Sequence, residues 1–213
     1  MISTLMGTET CLAIQGPAGQ LEVIAGEPQE EPIGAWGVVC HPHPLFGGTM
    51  HNKVVTTMVK VFQYLGLNTV RFNFRGVGKS EGKFDEGEGE LNDLLAVIEW
   101  VQHTHPHRDI WLAGFSFGAY IAAKAATQFP VKKLVTIAPP VQNFPMQNIP
   151  PITCPWILVQ GEVDEIVAPQ AVFAWAENRE PKPLILRFPQ ATHFFHGQLG
   201  ELRSRLEEAL MVD

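Results

Sequence analysis

Apolar residues follow two rhythms along the chain: short unbroken runs, and longer stretches in which they recur every third or fourth position. Ala35-Trp36-Gly37-Val38-Val39-Cys40 is of the first kind, and its length and β-branched residues predict a strand buried on both faces. Asn68–Phe74, Asp109–Gly114, Lys133–Ala138, Pro155–Gln160 and Pro183–Phe188 read likewise as strands. Helical spacing fills the intervals. Asn52–Tyr64 aligns Val55, Met58, Val59 and Phe62 before Gly66 stops it, and Glu90–His103 puts Leu91, Leu94, Leu95, Ile98 and Val101 on one side. Phe117–Gln128, Ala168–Ala176 and Gln198–Met211 are the remaining predicted helices. Ahead of them all, alternation predicts a strand pair, Cys11–Gln15 and Gln20–Ala25, joined by the turn Gly16-Pro17-Ala18-Gly19. Strands alternating with helices imply an α/β fold: an eight-stranded, mostly parallel sheet with helices on both faces. Such sheets place ligands at the carboxyl ends of their strands, so chemistry is sought in the loops that follow them.

Composition narrows the function classes. With 213 residues, 46% of them hydrophobic, residues 1–213 are expected to form one domain with a sizeable core. The 15 Lys+Arg are scattered against 22 Asp+Glu, which argues against a nucleic-acid partner. No run approaches the ~20 apolar residues of a membrane span, and Met1–Gly7 lacks the basic and apolar regions of a signal peptide. Cys11, Cys40 and Cys154 are odd in number and far apart, as expected of reduced thiols in a cytoplasmic protein. The expectation is a monomer or homodimer without cofactor or metal.

Gly114-Phe115-Ser116-Phe117-Gly118 lies between a predicted strand and a predicted helix. A nucleophile elbow needs such a turn: strained backbone lifts a serine hydroxyl above the sheet, and the flanking glycines avoid side-chain clash. The hydroxyl also needs a base, and the base an orienting acid. Asp164 follows the strand ending near Gln160, and His193 follows the one ending at Phe188. Nucleophile, acid and base thus occur in the required chain order, each after its own strand. Glu162 and Glu165 flank Asp164 as competing carboxylates, and His196 competes with the preferred His193.

An oxyanion formed at Ser116 needs backbone donors. Phe117 N–H is one, by its place after the nucleophile. The other is sought in His41-Pro42-His43-Pro44-Leu45-Phe46-Gly47-Gly48, where the prolines carry no N–H; Leu45 ranks first and His43 second. His41 with His43, and His103-Thr104-His105-Pro106-His107, lack a zinc-ligand spacing. Gly76-Val77-Gly78-Lys79-Ser80 imitates a phosphate loop, but Asn73 replaces the required first glycine and the acidic Glu81–Gly89 follows it. Its expected role is to shape the rim after its strand, with Asp85 and Glu90 either ordering that loop or lying in solvent.

With these residues in place, the chain resembles the α/β-hydrolase superfamily over nearly its whole length. More narrowly, residues 41–53 and 75–82 are similar to small bacterial hydrolases related to dienelactone hydrolase and prolyl-oligopeptidase-type domains. The resemblance implies Ser116, Asp164 and His193 as a catalytic triad. Dienelactone hydrolases proper use a cysteine nucleophile, so serine at the elbow departs from them. Relatives often insert a helical lid where this chain has only the broken, Pro-rich Pro139–Pro155. An open cleft is therefore expected, bordered by Leu45, Phe46, Phe117, Val141, Phe144 and Phe194, with Phe46, Phe144 and Phe194 as substrate contacts. The expected function is a carboxylesterase-like serine hydrolase acting on a small ester or thioester. A peptidase or amidase, and a non-catalytic binding protein of the same fold, are the alternatives.

Overall fold

The computed structural model describes residues 8–211, so the expectation for Met1–Gly7 lies outside the described residues. Its strands are β1 (Glu9–Gly16), β2 (Gly19–Gly26), β3 (Ala35–Cys40), β4 (Asn68–Phe72), β5 (Asp109–Phe115), β6 (Lys133–Ile137), β7 (Trp156–Gly161) and β8 (Leu184–Phe188). The helices are α1 (Lys53–Tyr64), α2 (Glu88–Thr104), α3 (Phe117–Ala125), α4 (Pro169–Glu177) and α5 (Leu199–Met211). All eight strands form one sheet in the order β1-β2-β4-β3-β5-β6-β7-β8. β1, β2 and β4 pair antiparallel, and every pairing from β4 onward is parallel.

Side-chain alternation along the strands sorts the core into two layers. Val38, Leu112, Leu134 and Leu158 point to one face and pack with Leu94 and Ile98 of α2, Ile121 of α3 and Val172 of α4. Their neighbours Val39, Ala113, Val135 and Val159 point to the other, against Val55, Val59 and Phe62 of α1 and Leu202, Leu206 and Leu210 of α5. Because both faces are covered, β3 and β7 are buried at every residue, which explains their unbroken apolar runs. β8, at the sheet edge, is only partly buried.

Differences from the predicted boundaries have identifiable causes. The fourth strand ends at Phe72: Asn73 N–H still donates to Glu22 O on β2, but its side-chain Oδ1 already accepts Met50 N–H, and Phe74 N–H leaves the sheet to donate to His41 Nε2. α2 starts at Glu88, two residues earlier than its apolar pattern indicates. There Glu90 turns back and accepts the N–H groups of Asp85 (3.0 Å) and Gly87 (2.7 Å), which have no partner within the helix. Glu90 is fully buried, so it orders this loop, whereas Asp85 is exposed. Between β6 and β7, residues 139–155 contain a single 3-10 turn (Met146–Asn148), and no cap covers the carboxyl edge of the sheet.

Candidate active site

β5 runs into α3 through Ser116, whose φ of 53° and ψ of −119° are unusual for a residue with a side chain. The strain is held from both sides. Ser116 N–H donates to Ile137 O on β6 at 2.8 Å, and Ser116 O accepts from Ala119 N–H. The two glycines are demanded by close backbone approach. A Cβ on Gly114 would strike the backbone of Gly118, and one on Gly118 would lie 2.5 Å from Cys40 O. α3 therefore packs its first turn directly on the carboxyl end of β3.

The loops after β7 and β8 meet above this serine. His193 Nε2 lies 3.1 Å from Ser116 Oγ, and His193 Nδ1 lies 2.8 Å from Asp164 Oδ2. Asp164 Oδ1 accepts the N–H groups of Ile166 and Val167, each at 2.8 Å. Gln160, the fifth residue of β7, donates its side-chain amide to Asp164 Oδ2 at 3.0 Å. Burial opposes ionisation of Asp164, but hydrogen bonds from His193 and the Val167 and Ile166 amides outweigh it and hold its pKa below the usual value. An ionised, immobilised carboxylate at Nδ1 keeps the His193 proton there and leaves Nε2 to accept from the serine. Of the competing residues, Glu165 accepts the backbone N–H of His193 at 3.1 Å, whereas Glu162 faces Arg187 and His196 is exposed. Gln160 and Glu165 thus fix the Asp164 carboxylate and the His193 backbone, a support that no motif in the sequence marks.

The loop after β3 separates its two histidines by role. His41 is fully buried; Nδ1 donates to Pro42 O at 2.6 Å, and Nε2 accepts Phe74 N–H at 3.0 Å. It pins the β3 loop to the β4 loop as a neutral ring. Burial pushes its pKa from 6.5 down to about 4. The sign follows: on acidification the unfolded chain takes up this proton first, so stability is intact above pH 6.5 and falls as the pH approaches 4. The expected loss is about 3 kcal/mol. Denaturant titrations at pH 7 and about pH 4 should show that the His41→Gln variant lacks most of this drop; an equal drop would remove His41 as its source.

His43 and Leu45 are linked. Leu45 N–H donates to His43 Nδ1 at 3.2 Å, and the N–H groups of Phe46 and Gly48 donate to His43 O. The backbone N–H groups of His43 and Phe117 make no hydrogen bond to described residues. The rim after β4 is built similarly from internal bonds. Ser80 Oγ donates to Asn73 O and accepts Glu22 N–H, while Arg75 is clamped by the fully buried Asp93. Lys79 and Ser80 open no helix, so nothing there cradles a phosphate.

Next to Ser116 lies an open cavity of about 270 Å³, lined by His43, Phe46, Phe117, Pro140, Asn143, Phe144, Ile166 and Val167. Phe46 and Phe144, both expected at the site, line it. Phe194 instead packs on the rings of Phe115 and His193, outside this lining, and Leu45 and Val141 are also absent from it. The His43 ring, Asn143, Ile166 and Val167 are wall residues that apolar patterning does not single out, since loop side chains have no period.

Comparison with known proteins bears on the fold and the family. A family model for the α/β-hydrolase fold matches residues 43–154. The structure superposes on a lidless α/β serine hydrolase from Xanthomonas campestris with a TM-score of 0.92, at 43% identity over 95% of this chain and 94% of that one. An α/β serine hydrolase homologue from Coxiella burnetii is 48% identical over 99% of both chains, also with a TM-score of 0.92. A Rickettsia prowazekii protein is 37% identical over 92% of this chain and 87% of its own length. Sheet order, a strained serine between β5 and α3, and these alignments lead to one assignment: the chain belongs to the α/β-hydrolase family.

Proposed function

We propose that the protein is a serine hydrolase that cleaves small carboxylic esters or thioesters through an acyl-enzyme. The observation that carries this reading is the hydrogen-bonded series from Ser116 Oγ through the His193 ring to Asp164, spanning 3.1 Å and 2.8 Å. Ser116 attacks the carbonyl carbon while His193 Nε2 takes its proton, and Asp164 holds the ring and stabilises its charge. The proton then passes to the departing alcohol or thiol. Water, deprotonated by the same nitrogen, releases the acid and restores the serine.

The oxyanion is assigned to two backbone donors. Phe117 N–H is the first, at the start of α3, where the helix dipole adds positive potential. Leu45 is the leading second donor by sequence, yet its N–H is already bonded to His43 Nδ1. The N–H of His43, which has no partner among the described residues, therefore suits the second place better. No cofactor enters this scheme. The open, uncapped edge and the modest cavity favour short, water-soluble substrates.

Labelling with a fluorophosphonate tests the proposal. Mass spectrometry of the folded protein should show one adduct on Ser116, absent from Ser116→Ala. An unmodified wild-type protein would overturn the reading, and turnover of peptide amides without esters would move it to an amidase.

A further inference from the structure

The mechanism above uses the backbone of His43 and leaves its side chain unexplained. That ring is wedged among four phenylalanines, with centroids 4.6 Å from Phe46, 4.9 Å from Phe84, 5.1 Å from Phe117 and 5.9 Å from Phe144. Its Nδ1 accepts Leu45 N–H, so in this bond Nδ1 carries no proton. Burial lowers the pKa of the ring, which favours the neutral form near pH 7. The proton of that neutral ring is then on Nε2. Nε2–H has no acceptor among the described residues, although the ring lines the cavity beside Ser116. A fixed donor with no acceptor among the described residues, set in a mostly apolar wall, is the kind of group that orients a ligand.

The remaining walls indicate the ligand's shape. Phe46 lies against the His43 ring yet is 85% exposed, Phe144 faces it from the opposite loop, and the fully buried Phe117 backs the wall between them. A ring in offset or edge-to-face contact with another ring is stabilised beyond the area it buries. An apolar cavity of about 150 Å³ admits benzene. The roughly 270 Å³ here thus has space for one ring and a small substituent, while a long alkyl chain would extend into solvent. The group seated there is better the acyl than the alcohol part, because the alcohol must leave before water attacks and the acyl group stays bonded to Ser116.

We propose that the His43 side chain determines specificity at the Ser116 site, its Nε2–H donating to an oxygen on a planar, single-ring acyl group held against Phe46 and Phe144. This rests on the ester-hydrolase reading above. The test compares kcat/KM for methyl butanoate, methyl benzoate and methyl 3-methoxybenzoate, each divided by its alkaline hydrolysis rate. The wild type should prefer benzoate to butanoate, and the methoxy-bearing ring to the bare ring, by about tenfold each.

Two variants isolate the donor. His43→Asn keeps an acceptor for Leu45 N–H, as Asn52 Oδ1 does for Val54 N–H at 2.8 Å, whereas His43→Phe keeps the ring faces without the N–H. In both, the methoxy preference should fall to about one, whatever rate they share for all substrates. A wild type without that preference overturns the proposal, even if neither variant folds. A preference retained in both variants overturns it too. Absence of fluorophosphonate labelling on the wild type would instead reject the hydrolase reading itself.

Discussion

Replacing His193 by alanine should lower kcat for a short ester by about 10⁶, with the fold intact. The size follows from the geometry. With Nε2 gone, nothing described lies within hydrogen-bonding distance of Ser116 Oγ to take its proton, and the leaving alcohol has no acid to protonate it. Ser116→Ala should cost about as much, and the double variant little more, because the two residues act as one unit. Asp164→Asn should cost less, about 10⁴. Its amide still meets the Ile166 and Val167 N–H groups on one side, but it no longer stabilises a charged His193 ring. Single-turnover measurements of acyl-enzyme formation separate these cases; a loss below tenfold for His193→Ala would assign the base to another residue.

Gly118→Ala should destabilise the fold by about 3 kcal/mol, the upper part of the range for overpacking. The new Cβ would sit 2.5 Å from Cys40 O and 2.6 Å from His41 O. Both are backbone atoms at the end of a fully buried strand, and no rotamer change relieves them. α3 must slide outward, carrying Phe117 N–H and the strained Ser116 with it, so labelling by fluorophosphonate should slow by about 10². Gly200→Ala is the control: nothing lies within 4 Å of the added methyl. A thermal melt of Gly118→Ala should fall by about 6–12 °C. An unchanged melting temperature would show that the first turn of α3 can yield.

His41 and His43 show why a motif is easier to see than to interpret. They stand two residues apart in the same His-Pro repeat, and as letters they invite one shared role. In the fold, one is a buried pin with both ring nitrogens bonded to the backbone of Pro42 and Phe74, and the other, though touched by Phe84 of the same β4 loop, is a wall of the cavity. The ranking of Leu45 over His43 as an oxyanion donor has the same weakness. The presence of an N–H excludes only Pro42 and Pro44 and cannot order Leu45 and His43, whereas the hydrogen bond from Leu45 to His43 Nδ1 depends on a side-chain torsion. Phe194, expected at the border of the cleft, lies on the rings of Phe115 and His193, outside the cavity lining.

By itself the sequence determined the order and kind of the elements and the strand ends that carry Ser116, Asp164 and His193. Burial on two faces and the 3.6-residue helical period write directly into which positions are apolar, and chain order limits where a nucleophile, an acid and a base can lie. Tertiary structure decided what chain neighbours could not. Gln160 and Glu165 hold Asp164 and His193, Glu90 folds back onto its own loop, and the His43 ring joins Phe46 and Phe144 around one cavity. Each of these depends on the direction of one polar or loop side chain toward a particular atom. Such directions have no periodicity, so they appear only once the strands have brought the loops together.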